Sequence, residues 1–284
     1  MKKIIFIADY FYKDITGGAE LNDYSLIHRL ESEGYSVKKI NCEDININFL
    51  SENINGKFII ANFIKLTKDC IEYISNNLNY VIYEHDHKYL KSRNPINYPN
   101  FIAPPEEITN LSFYKNARSV ICLTELAVEV IKSNTSLENI SKIGSSIWTD
   151  EDLDFIKSII TNDKKNKFAV MDSDNPIKKK NKCIKYCIAN NLKYELIRDR
   201  DNRKFLHKLS KYAGLVFMTG HLETCCRIVV EAKMMNCRVI TQKKLIGAAS
   251  EDWFSLNGEE LIEKIRSISK NSVDIFIKAL KDYK

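Results

Sequence analysis

The stretch GLVFMTGHLETCCRIVVEAKMMNCRVIT, residues 214–241, restricts the fold of this chain more than any other. Leu215, Val216, Phe217 and Met218 form a short apolar run, the pattern of a buried strand. A turn at Thr219, Gly220 and His221 follows. Ile228, Val229, Ala232 and Met235 then recur at helical spacing, before residues 237–240 resume a strand. Strand, loop, helix and strand in so short a span make a β-α-β unit of a helix-covered parallel sheet. A loop entering a helix offers backbone N–H groups and a positive dipole end, which suits a phosphate or diphosphate. Glu223 stands in that loop, and Glu231 follows with seven residues between. Carboxylates there suit sugar hydroxyls.

The same alternation fills the chain, predicting an α/β fold. Strands are expected at 3–10, 35–40, 57–61, 80–83, 119–123 and 140–143. Helices are expected around Leu21, Tyr24, Ile27 and Leu30, at 66–77, at 106–115 and at 125–132, with Gly34 stopping the first. A polar stretch, TNDKKNK at 161–167, reads as the boundary between halves. Strands resume at 168–171, 193–197 and 215–218, and a last helix is expected at 273–283. With 284 residues, 44% of them hydrophobic, the chain has material for two domains of ordinary size.

The formal net charge of +6 is compatible with an anionic nucleotide, a membrane surface or nucleic acid and selects none of them. Eight cysteines are scattered without a CxxC pair and read as reduced core thiols of a cytoplasmic protein. The apolar run IIFIADYF is broken at Asp9, too soon for a signal peptide or a membrane span, so no stable membrane insertion is expected.

Three further places carry chemistry. Gly17 and Gly18 precede the first helix in GGAE, without the three-glycine spacing of a dinucleotide fingerprint. Glu84, His85, Asp86 and His87 end a strand, where open α/β sheets put their ligands, and Pro95, Pro99, Pro104 and Pro105 follow in a long loop that reads as a lid or an acceptor-binding segment. Asp172, Ser173 and Asp174 run into NPIKKKNK, with Lys178, Lys179, Lys180 and Lys182. The 84–87 cluster could be imagined as metal ligands, but a polar strand end is the favoured reading, and no metal is expected at either acidic group.

Taken together, the paired glutamates, the helix and strand VVEAKMMNCRVI after them, GGAE after a first strand, and EHD at a strand end resemble the retaining glycosyltransferases of GT-B architecture (glycosyltransferase group 1, family 4-like). The resemblance implies two Rossmann-like parallel-sheet domains with an interdomain cleft: an acceptor-side domain at 1–160, a donor domain at 161–270, and a C-terminal helix at 271–284 that crosses back. Domain closure would assemble the site. It further implies Glu223 on the transferred sugar, Glu231 on the nucleotide ribose, and Lys178 on the donor diphosphate. The family's Arg before that Lys has no counterpart here, so Arg227 and the backbone around Thr224 and Cys225 are expected to share its task. His85 and Asp86 would orient the acceptor hydroxyl, Asp86 assisting its deprotonation, and Gly17, Gly18 and Glu20 would face the cleft.

The expected activity is metal-independent hexosyl or pentosyl transfer from a nucleoside-diphosphate sugar, a co-substrate, with no cofactor. A saccharide acceptor stands first. A hydroxylated base in DNA, as some phage GT-B enzymes use, is the alternative acceptor. A non-catalytic nucleotide-sugar binding module and a sugar-nucleotide epimerase are the other rivals.

Overall fold

The apolar runs expected as strands at 3–10, 57–61, 80–83, 119–123 and 215–218 each overlap a strand of a parallel sheet. The computed structural model describes residues 3–12 and 17–281. The chain separates into two units, one running to Thr149 and resuming at Ile268, the other Asp150–Ser267. Residues 13–16 before the glycine pair, and the expected end of the last helix at 282–283, lie outside the described residues.

In the first unit the described elements are β1 (Lys3–Ala8), α1 (Gly18–Ser32), β2 (Ser36–Asn41), α2 (Ile47–Glu52), β3 (Lys57–Ile60), α3 (Lys68–Asn77), β4 (Asn79–Tyr83), α4 (Leu111–Asn116), β5 (Val120–Cys122), α5 (Glu125–Thr135) and β6 (Ile140–Lys142). Its strands pair in the order β2-β1-β3-β4-β5-β6, all parallel. Ile5, Ile7, Phe58, Ile60, Tyr80, Ile82 and Val120 share one buried core, each fully buried aliphatic side chain contributing about 1.5–3 kcal/mol. Local signals set two helix ends, the stop at Gly34 as expected and a cap at Thr67 that the expected start at 66 had placed inside the helix. Thr67 caps α3 by accepting from Cys70 N at 3.3 Å, and Gly34 ends α1 with φ +83°.

The second unit holds α6 (Asp150–Ser158), β7 (Lys165–Met171), α7 (Lys180–Ala189), β8 (Tyr194–Ile197), α8 (Asn202–Leu209), β9 (Tyr212–Phe217), α9 (Arg227–Met234) and β10 (Arg238–Thr241). Its strand order is β10-β9-β7-β8, again parallel. Val170, Val216, Met218, Cys183 and Cys187 form its buried centre. Each of the eight cysteines is buried and free of a disulfide.

Two expectations are corrected. The helix expected at 106–115 is a 3-10 turn at Pro105–Glu107 followed, after Asn110, by the short α4. Asn110 adopts φ 55°, and Ile108 is drawn into an antiparallel bridge with Leu90, which interrupts helical geometry. The closing helix, α10 (Gly258–Ala279), begins fifteen residues before the expected 273. Its buried stripe runs through Leu261, Ile262, Ile265, Ser269, Ser272, Val273 and Phe276, and the two serines interrupt the apolar period. Ser269 Oγ accepts from Trp148 N at 3.2 Å and Ser272 Oγ donates to Ser269 O at 2.7 Å, so both buried hydroxyls are satisfied. Among the described residues no helix is long and apolar enough to cross a membrane.

Strand order places the loops that matter. In the first sheet the connections reverse direction at β1 and β3, and the loops after them meet: Asp9 accepts from Ile64 N at 3.0 Å and Lys65 N at 2.9 Å. In the second sheet the reversal falls between β7 and β9, whose following loops contain Lys178 and Glu223.

Candidate active site

In the first unit the polar residues after β4 are anchored by a buried carboxylate. Glu84 Oε1 accepts from the backbone N–H of Asp86 and of His87, both at 2.8 Å, and from Lys88 Nζ at 3.1 Å, while Tyr114 OH donates to Oε2. Lys88 is 1% exposed and also donates to Asn62 Oδ1 at 3.2 Å and Asp86 Oδ1 at 2.8 Å. Arg93 donates to the other oxygen of Asp86. Burial would raise Asp86, but the Lys88 ammonium and the Arg93 guanidinium outweigh it and hold the carboxyl well below its usual range. Asp86 is thus ionised and committed to two cations.

His85 turns to α1 instead. Its Nε2 lies 2.8 Å from Asp23 Oδ1, and its ring centroid lies 4.2 Å from that of Tyr83. Burial pushes Asp23 up, and the histidine beside it pulls the other way. Burial also raises the half-buried Glu20, and the charges of Asp23 and Asp86 add to that, so Glu20, Asp23, His85 and Asp86 act on one another electrostatically. Gly17 is the N-cap of α1, and a Cβ on it would collide with Glu20 Oε2. The structure therefore brings Gly17, Glu20, His85 and Asp86 into one neighbourhood, with Gly18 exposed at the start of α1.

In the second unit Lys178 closes a short 3-10 turn, Pro176–Lys178, initiated by Asn175 Oδ1 accepting from Ile177 N at 3.0 Å. This turn packs on the loop after β9: Gly220 N donates to Ile177 O at 2.7 Å, and a Cβ at Gly220 would collide with the Lys179 side chain. Lys178 Nζ is consequently 3.2 Å from Glu223 Oε1. Burial would lower Lys178, and the Glu223 charge raises it on balance. Glu223 is fixed through its backbone by Leu245 O at 3.0 Å and Gly247 N at 2.8 Å. Ala248 N donates to Cys225 O at 3.1 Å. Thr224 and Cys225 are buried in the turn that enters α9, and Cys226, its N-cap, has φ 76°.

Glu231 lies buried on α9 with its Oε1 3.5 Å from Arg227 Nε, the two being one helical turn apart. Arg227 is 7% exposed, so its position fits orienting Glu231 more directly than meeting solvent-borne phosphate. Asp172 and Asp174 each face a cation, Lys180 at 2.7 Å and Arg198 at 2.8 Å. Among the described residues no group of three or more His, Cys, Asp or Glu side chains is arranged to hold a metal.

Some of these residues carry no sequence signal. Asp23 and Tyr114 lie in ordinary helical patterns, and Lys88 follows the EHDH run as an unremarked lysine. His87, Lys179 and Cys226 hold positive φ values of 59°, 44° and 76°, conformations costly for side chains of these types, and each adjoins a candidate residue.

No protein-family model and no curated protein matches the chain. Solved structures do. The catalytic domain of starch synthase IV from Arabidopsis thaliana, bound to ADP and acarbose, is 10% identical and aligns over 98% of this chain and 94% of its own with a TM-score of 0.57. An alpha-glucosyltransferase in complex with UDP and a 13-mer DNA containing a central A:G mismatch is 10% identical over 98% and 93%, with a TM-score of 0.53. Anabaena HepE in complex with UDP and glucose is 15% identical over 99% and 92%, with a TM-score of 0.51. At such identities the likeness concerns the fold, and the fold is GT-B, as the resemblance implied.

Proposed function

We propose that this GT-B chain transfers a sugar from a nucleoside diphosphate to an acceptor hydroxyl, with retention of anomeric configuration. The observation that carries this reading is the Lys178–Glu223 pair at the β7/β9 reversal, followed along the same loop and helix by the Arg227–Glu231 pair. One cation for a diphosphate and two acids for hydroxyls stand where open parallel sheets bind ligands. Nucleoside diphosphates are bound by the similar HepE and starch synthase IV, which supports the same ligand class here.

In this reading Lys178 opposes the charge that grows on the leaving diphosphate, with the positive end of α9 and the turn at Thr224 and Cys225 beside it. Glu223 accepts from the transferred hexose or pentose and Glu231 from the ribose. Arg227 holds Glu231 in place. Lys178 supplies the charge a divalent ion would otherwise bring, and no metal or cofactor enters the reaction. His85, set by Asp23, orients the acceptor hydroxyl; Asp86 contributes fixed negative charge beside it, and Gly17, Gly18 and Glu20 line the acceptor side. Buried thiols without disulfides fit a reducing cytoplasm.

The acceptor we favour is a saccharide. Likeness to an alpha-glucosyltransferase bound to DNA, with a net charge of +6, favours a hydroxylated base in DNA as the second reading. Under that reading duplex affinity falls steeply with added salt.

The test is nucleoside diphosphate release from a panel of UDP- and ADP-sugars, alone and with oligosaccharides or with DNA carrying hydroxymethylated bases. Release that depends on acceptor is the expected result. Conversion of the nucleotide sugar without acceptor would make the protein an epimerase, and binding without turnover a non-catalytic module; either sinks the transferase reading. An inverted anomer in the product would overturn retention alone. Glu231→Ala is expected to weaken nucleotide binding tenfold or more, about 1.4 kcal/mol. Unchanged affinity would place the ribose elsewhere.

A further inference from the structure

Lys178 and Glu223 face each other as an ion pair. Nζ and Oε1 are 3.2 Å apart, the side chains are 27% and 19% exposed, and Thr219 Oγ1 donates to the same Oε1 at 3.2 Å. The ammonium also lies 5.3 Å from the centre of the Phe217 ring. Among the described residues Lys178 has no second acidic partner, and Glu223 Oε2 accepts no hydrogen bond. One oxygen of the carboxylate is therefore committed to the cation, and the other is open. Any anion that approaches Lys178 does so against the charge of Glu223.

A nucleoside diphosphate and its sugar ester differ at the end that would meet this pair. The free diphosphate ends in a phosphate with an additional negative charge, which Glu223 repels and with which it competes for Lys178. In the ester the sugar removes that charge and brings hydroxyls that donate to a carboxylate. We propose that Glu223 is a specificity-determining residue by which the second unit distinguishes an intact nucleotide sugar from the free nucleoside diphosphate. It does so by holding Lys178 in a pair that sugar hydroxyls compensate and a bare diphosphate does not. Once the sugar has left, the pair re-forms and lowers affinity for the product. This inference rests on the donor-site reading above.

Calorimetric titration of the full chain with UDP, UDP-glucose, ADP and ADP-glucose tests it, in wild type, Glu223→Gln, Lys178→Met and the double variant. Glu223→Gln is expected to bind the free diphosphate about tenfold tighter than wild type does, with no gain for the sugar ester. In the Lys178→Met background the same substitution is expected to change diphosphate affinity by less than about threefold, because the cation being contested is gone. Glu223→Ala is expected to act in the same direction as Glu223→Gln, so a folding failure of one variant leaves the other to decide. An equal gain for diphosphate and sugar ester, or a gain that persists without Lys178, overturns the inference and leaves the transferase reading standing. Wild-type protein that binds none of the four ligands overturns both.

Discussion

His85 Nε2 and Asp23 Oδ1 lie 2.8 Å apart across 62 residues of sequence, with neither side chain more than 3% exposed. A buried histidine held this way has one ring nitrogen assigned to a carboxylate, which fixes the direction of the other. Asp23→Asn keeps the shape of the side chain and removes the charge. The expected result is a fall of about a hundredfold in the rate of sugar transfer, the scale of a small misplacement at the reacting centre, with donor affinity unchanged. Loss of donor affinity in step with rate would show that Asp23 supports the fold rather than His85.

Lys88 is the charge on which the end of β4 depends. Its ammonium donates to Glu84, Asp86 and Asn62, and removing it leaves the buried Glu84 carboxylate without a cation partner among the described residues. Lys88→Met is expected to cost about 3–5 kcal/mol in thermal or denaturant unfolding. A cost below about 1 kcal/mol would mean that Tyr114 and the two backbone N–H groups suffice for Glu84.

Acid should act on the same cluster. Asp86 titrates well below its ordinary 3.8, because Lys88 and Arg93 outweigh the burial that would raise it. A depressed carboxyl contributes stability above its unfolded value and loses that contribution as pH falls toward its folded value. Asp86→Asn is therefore expected to melt earlier than wild type at about pH 7, with the gap narrowing only below about pH 3.8. Melting curves between about pH 7 and about pH 2 check this, and a gap that stays constant over the whole range counts against it.

Gly214 sits in β9 between both neighbours of its sheet, opposite Arg238 on β10 and Phe168 on β7. An added Cβ would meet the Arg238 carbonyl oxygen and the Phe168 ring. Gly214→Ala is expected to destabilise the protein by about 1–3 kcal/mol, the scale of overpacking in a tight core. Nucleotide affinity should weaken with it, since Glu223 follows on the same strand's loop. Wild-type stability in this variant would mean that β9 and β10 separate without cost.

The alternation of strands and helices is readable in the sequence because strands buried on both faces are short apolar runs, and Leu215, Val216 and Phe217 are buried as that pattern requires. The strand end at Glu84 and His85 is readable for the same reason: polarity begins abruptly where the sheet stops. Pairing through space is not. Nothing near Asp23 on α1 marks it as the partner of a histidine in the loop after β4, and Lys88 looks like a surface lysine until Glu84, Asp86 and Asn62 are seen around it. Local conformation also overrode pattern. Asn110 in the left-handed region broke an expected helix, and Ser269 and Ser272 concealed the first half of α10 because each finds its hydrogen-bond partner in the core.

The buried cysteines give the protein a set of native clocks. Cys42, Cys70 and Cys122 report from the first unit and Cys183, Cys187, Cys225, Cys226 and Cys237 from the second, and none is exposed in the folded chain. A thiol reagent can reach them only when the surrounding structure opens, so the order in which they are modified dates the opening of each unit without an engineered probe. Cys225 and Cys226 flank the turn into α9, and their labelling rate in the presence and absence of nucleotide measures how firmly a ligand closes that one turn.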